Sequence, residues 1–147
     1  MTIRLRYDLI GPGWAGCVVE MNGQTATVSA SYLSDALDEL CRATVEVLIG
    51  WPRSEAAFQE EPGEYRWLFD RVGEHDLRIR LIDGVTAREN PSEAVLIDSE
   101  CRAKEFAGAL VAELCRLLEV YGEEGYLENW VRFPFPSHRV AQLRALL

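Results

Sequence analysis

The chain has 147 residues, 48% of them hydrophobic, and a formal net charge of −9. This is the size of one ordinary domain, with enough apolar material for a core that needs neither disulfides nor metal. The acidic balance argues against nucleic acid as a direct ligand, since phosphate binding rests on cationic side chains, and no apolar run is long enough to cross a membrane.

The opening IRLRYDLI sets Ile3, Leu5, Tyr7 and Leu9 against Arg4, Arg6 and Asp8, the period-2 pattern of a half-buried strand. Such alternation is unlike the apolar core of a signal peptide, which predicts a cytoplasmic chain, complete as written. Gly11-Pro12-Gly13 breaks the strand. WAGCVVEM and QTATVSAS then flank Asn22-Gly23, a strong signal for a type I′ hairpin turn.

From about 32 to 49 the period becomes helical through Leu33, Ala36, Leu37, Leu40, Thr44, Val47 and Leu48, with Ser31 or Ser34 as N-cap and Gly50-Trp51-Pro52 as the stop. Strands follow at about 55–61, 64–71, 76–83 and 95–98. GVTARENPSEA, with Asn90-Pro91, reads as a mobile surface loop. A second long helix spans about 99–121, carrying Phe106, Leu110, Leu114 and Leu117 on one face and ending at Gly122. Beyond it lie an aromatic, proline-interrupted tail, EEGYLENWVRFPFP, and a short helix that Ser137 opens.

These elements predict a single α+β domain over 1–147. Its fold class is an antiparallel sheet of six to seven strands with two long helices packed on one face, a two-layer sandwich. Glu39-Leu40-Cys41-Arg42 in the first helix recurs as Glu113-Leu114-Cys115-Arg116 in the second. Either a strand-strand-strand-helix unit is duplicated, or two helices on one sheet arrive at the same residues independently; the second reading is the simpler.

Glu61-Pro62-Gly63-Glu64 has the residues of a type II turn. If it closes a two-residue hairpin, Glu61 faces Glu64, Gln59 faces Arg66, Phe58 faces Trp67 and Ala56 faces Phe69. That register buries Phe58, Trp67 and Phe69 and leaves Glu61, Glu64 and Arg66 outside as a cluster able to satisfy itself. Arg78 and Arg80, and Arg4 and Arg6 on the first strand, also fall on outer faces. There they either pair with carboxylates across strands or hold an anion.

Chemistry is sparse. The four cysteines, Cys17, Cys41, Cys101 and Cys115, are widely spaced and read as free thiols; His75 and His138 are too few for a histidine metal site, although carboxylates could hold a hard cation. No phosphate-binding glycine loop, GxSxG elbow or HExxH occurs, so no catalytic residue, metal or cofactor is assigned. The tail aromatics Tyr121, Tyr126, Trp130, Phe133 and Phe135 either complete the core or form an anchor patch rimmed by Glu123, Glu124 and Glu128.

YLSDALDEL, EEPGEYRW and YGEEGYLENWVRFPFP together resemble small acidic proteins of actinobacterial type, and the layout is similar to the acidic immunity proteins of bacterial toxin systems. The resemblance implies a non-enzymatic protein that neutralises a basic protein partner, such as a toxin, by electrostatic complementarity. The expected contact set is Glu60, Glu61, Glu64, Arg66, Glu123, Glu124 and Trp130, on a monomer or homodimer. The alternatives are an adaptor subunit of a larger bacterial assembly, or a small-anion binder that uses Arg66, Arg78 or Arg80.

Overall fold

The computed structural model of the chain describes residues 2–147. β1 (Ile3–Gly11), β2 (Trp14–Met21) and β3 (Gln24–Ser31) form an antiparallel meander, and α1 (Ala36–Leu48) follows it. β4 (Arg53–Gln59), β5 (Glu64–Arg71), β6 (Asp76–Asp83) and β7 (Val95–Arg102) form a second antiparallel sheet in sequence order, with α2 (Gly84–Glu89) between β6 and β7. α3 (Ala103–Trp130) and α4 (Ser137–Ala145) complete the chain.

The α+β class and the seven strands agree with the sequence, but the single sheet does not: the strands divide into sheets of three and four. Side chains join the two. The Gln24 amide donates to the Asp98 carbonyl at 2.9 Å while its Oε1 accepts the Asp98 N–H at 2.9 Å. Asn22 Nδ2 donates to Ser99 Oγ at 2.8 Å and to the Glu100 carbonyl at 3.0 Å. These two residues at the β2–β3 hairpin therefore occupy the open edge of β7 in place of a further strand.

The two long helices do not pack on one common sheet. α1 packs chiefly on β4, the first strand of the four-stranded sheet, and α3 chiefly on β1, the first strand of the three-stranded sheet. The recurring tetrapeptide does matching work in both places. Glu113 accepts the Tyr7 N–H at 2.5 Å and Arg116 donates to the Tyr7 carbonyl at 2.7 Å. On α1, the Glu39 carboxylate faces the Ala57 N–H and Arg42 donates to the Glu55 carbonyl at 2.8 Å. Leu40 and Leu114 enter the shared core beside them.

Three further expectations need correction. α1 starts at Ala36, because Tyr32–Ser34 turn away from the end of β3 before the helix begins. Part of the polar loop after β6 is helical: Asp83 Oδ1 accepts the N–H groups of Val85 at 3.0 Å and Thr86 at 3.3 Å, which caps α2. α3 does break at Gly122 (φ 67°), as its glycine suggests, but the chain then resumes helical conformation to Trp130 instead of trailing away.

The core is one cluster drawn from both sheets and three helices. Trp67 stacks on Phe69 with centroids 6.2 Å apart, and both rings meet Phe106 of α3 edge-on. Cys17, Cys41 and Cys101 are buried and Cys115 is half-buried; all four are free. Burial pushes the Cys17 and Cys101 thiols up to about 12, so neither is a nucleophile at neutral pH.

Candidate functional site

The hairpin between β4 and β5 closes two residues earlier than a two-residue turn would. Gln59 faces Glu64, Phe58 faces Tyr65 and Ala56 faces Trp67, leaving Glu60–Gly63 as the loop, with the Glu60 N–H donating to the Gly63 carbonyl at 2.9 Å. The Glu61–Pro62 bond is cis. A shift of two preserves every face, and Phe58, Trp67 and Phe69 are all buried as expected. The observed register has two advantages: small Ala56 sits opposite the large indole, and Glu61 no longer confronts Glu64.

Gly63 (φ 101°) turns the chain back, and a Cβ there would lie 2.7 Å from Val85 Cγ2. The loop consequently sits close to α2, and between them opens a cleft of about 130 Å³ lined by Glu60, Glu64, Tyr65 and Asp83. Glu60 accepts the Ser29 hydroxyl from β3, and Glu61 is exposed. Burial, followed by the Glu60 and Asp83 carboxylates, raises the Tyr65 phenol above its ordinary pKa, a local sign of negative potential.

The outer-face arginines are spent on internal carboxylates. Arg66 donates to Glu64 at 2.9 Å and reaches Glu55 at 3.5 Å. Arg78 grips Asp98 with two hydrogen bonds at 2.8 and 2.7 Å, holding that carboxyl below its ordinary pKa, and Arg80 meets Asp70 at 3.0 Å. Arg6 pairs with Asp8. None of Arg66, Arg78 and Arg80 is left to seize an anion, which was the alternative their alternation allowed.

The tail residues separate. Trp130 is fully buried, as is Tyr126, and Phe135 meets Tyr126 edge-on at 5.4 Å, so these aromatics complete the core and Trp130 is no surface anchor. Glu123 accepts the Ser137 hydroxyl and ties α3 to α4, while Glu124 is exposed. Neither joins the cleft formed by Glu60, Glu64 and Asp83. Sequence reasoning missed Asp83, whose only signal was its position before a glycine at the end of a strand.

No group of three or more His, Cys, Asp or Glu side chains is arranged to hold a metal ion among the described residues, and no helix is long and apolar enough to cross a membrane. No protein-family model, curated protein or solved structure matches the chain.

Proposed function

We propose that the protein is a non-enzymatic binding protein that engages a basic protein partner through the acidic cleft between the β4–β5 loop and α2. The resemblance to immunity proteins makes a toxin one such partner. One observation carries the reading: Glu60, Glu64 and Asp83 converge on a single cleft with Glu61 exposed beside it, while Arg66, the arginine paired with this cluster, already spans Glu64 and Glu55. A lysine or arginine side chain from a partner would enter where the carboxylates outnumber the cations. The −9 charge of the whole chain would speed its approach.

The test is affinity capture from host lysate with the wild-type chain and with Glu60→Gln/Glu61→Gln, at low salt and at about 0.5 M salt, where the Debye length falls to a few ångströms. The expected outcome is one basic protein retained by wild type at low salt, released at high salt, and retained poorly by the variant. Equal retention by the two chains, or enrichment that ignores salt, would sink the assignment.

A further inference from the structure

We propose a second site at the opposite end of the four-stranded sheet, a cavity that binds a small organic phosphate on Arg71, Arg102 and Lys104. This site is independent of the partner assigned to the acidic cleft. The cavity holds about 370 Å³, within the range of small-molecule pockets and well above the 130 Å³ of the acidic cleft. It forms where β5 and β7 end, the β5–β6 turn crosses and α3 begins.

Its cations come from two segments, the end of β5 and the junction of β7 with α3, and among the described residues none is paired with a carboxylate. Arg71 is half-buried and held by carbonyls: Nη1 donates to the Val47 oxygen at 2.5 Å and Nη2 to that of Glu74. Carbonyls fix the guanidinium in place without neutralising it. Arg102 and Lys104 form no ion pair among the described residues, whereas Arg42, Arg53, Arg66, Arg78, Arg80, Arg116 and Arg139 are all tied to carboxylates. Lys104 is the only lysine in the chain.

The remaining lining decides the ligand class. His75 adds a further donor, and its imidazole lies 3.9 Å from Glu74. Glu74 and Glu105 also line the cavity, so the permanent charges there are three cations against two carboxylates. A phosphate monoester, close to a dianion at neutral pH, gains more from three cations than a single carboxylate does. Leu48, Ala103 and Leu146 supply an apolar wall for the organic part of the ligand. The first turn of α3 has no side-chain cap; the His75 carbonyl takes the Ala103 N–H at 2.8 Å, and the N–H groups that follow add donors at the same place.

The experiment titrates the full chain with phenyl phosphate, inorganic phosphate and benzoate at constant ionic strength, read by calorimetry and by amide chemical shifts. Saturable binding of phenyl phosphate is expected, tighter than either control, with shifts at residues 71–75 and 102–105. Arg102→Ala/Lys104→Ala should weaken it about tenfold or more, since removing one charge-assisted contact alone approaches that factor. Glu60→Gln/Glu61→Gln should leave it unchanged. A non-saturating response that chloride reproduces, benzoate binding as tightly as phenyl phosphate, or undiminished binding by the cavity variant would overturn the proposal. If the double variant fails to fold, Lys104→Ala and the location of the shifts decide the matter on the same terms.

Discussion

The two copies of Glu-Leu-Cys-Arg hold the edges of different strands at different depths. On α3 the Glu113 side chain is 7% exposed and Arg116 24%, and the pair closes on the backbone N–H and carbonyl of Tyr7 with Asp8 3.1 Å from Arg116. On α1 the Glu39 side chain is 32% exposed and Arg42 36%, and Arg42 also reaches Glu46 at 2.6 Å. Similar residues on similar elements therefore carry unequal weight. Water can replace what α1 supplies to β4 far more readily than what α3 supplies to β1.

The largest effect is expected at the deep copy. Glu113→Ala strands the buried Tyr7 N–H and removes the principal partner of Arg116, whose pKa Glu113 holds above its ordinary value. We expect a loss of about 2–4 kcal/mol, measured by urea denaturation. A loss below about 1 kcal/mol would show that Tyr7 finds another acceptor and that depth does not separate the two copies. Arg42→Ala is the matched change at the shallow copy. It exposes the Glu55 carbonyl to solvent and should cost about 0.5–1 kcal/mol in the same assay.

The remaining effect is one of pH. Asp35, immediately before α1, has its pKa pushed up to about 6, first by burial and then by Asp38, against the pull of Arg139. The folded state therefore holds this proton more tightly than the unfolded chain, where the group titrates near 3.8. Its stabilising contribution is complete below the unfolded value and is lost as the pH rises through about 6. Asp35→Asn should flatten that part of the stability profile relative to wild type. Parallel wild-type and Asp35→Asn profiles between pH 4 and 7 would show that the carboxyl is not held as described.

Period-2 alternation identified the buried faces of β1, β4, β5 and β6 because it depends only on which residues meet water, whereas residues 99–102, assigned to the second long helix, extend β7. It could not set the β4–β5 register, since a slip of two leaves Phe58, Trp67 and Phe69 where they were. Nor could it divide the strands into two sheets, because the join runs through the side chains of Asn22 and Gln24. The fate of Arg66, Arg78 and Arg80 waited on strand order, which placed Asp70 beside β6 and Asp98 across from it. Arg71 lies about thirty residues from the neighbouring Arg102 and Lys104, so only the fold brings it to them. The tail aromatics were open between core and anchor patch, and Tyr126, Phe135 and the expected contact residue Trp130 all prove to be core, while the tail's helix was hidden by the break at Gly122.

The side chains that lie along strand edges also limit how another chain can attach. An edge strand with a free row of N–H and C=O groups is a template for adding a foreign strand, by a partner or by aggregation. Here Glu113 and Arg116 occupy Tyr7, the Tyr121 hydroxyl takes the Leu9 N–H, Arg42 occupies Glu55, and Gln24 and Asn22 occupy Asp98 and Glu100. β1, β4 and β7 are each interrupted at these points. Recognition at those edges must therefore proceed through side chains, which favours a partner chosen by its charge over one chosen by its capacity to extend a sheet.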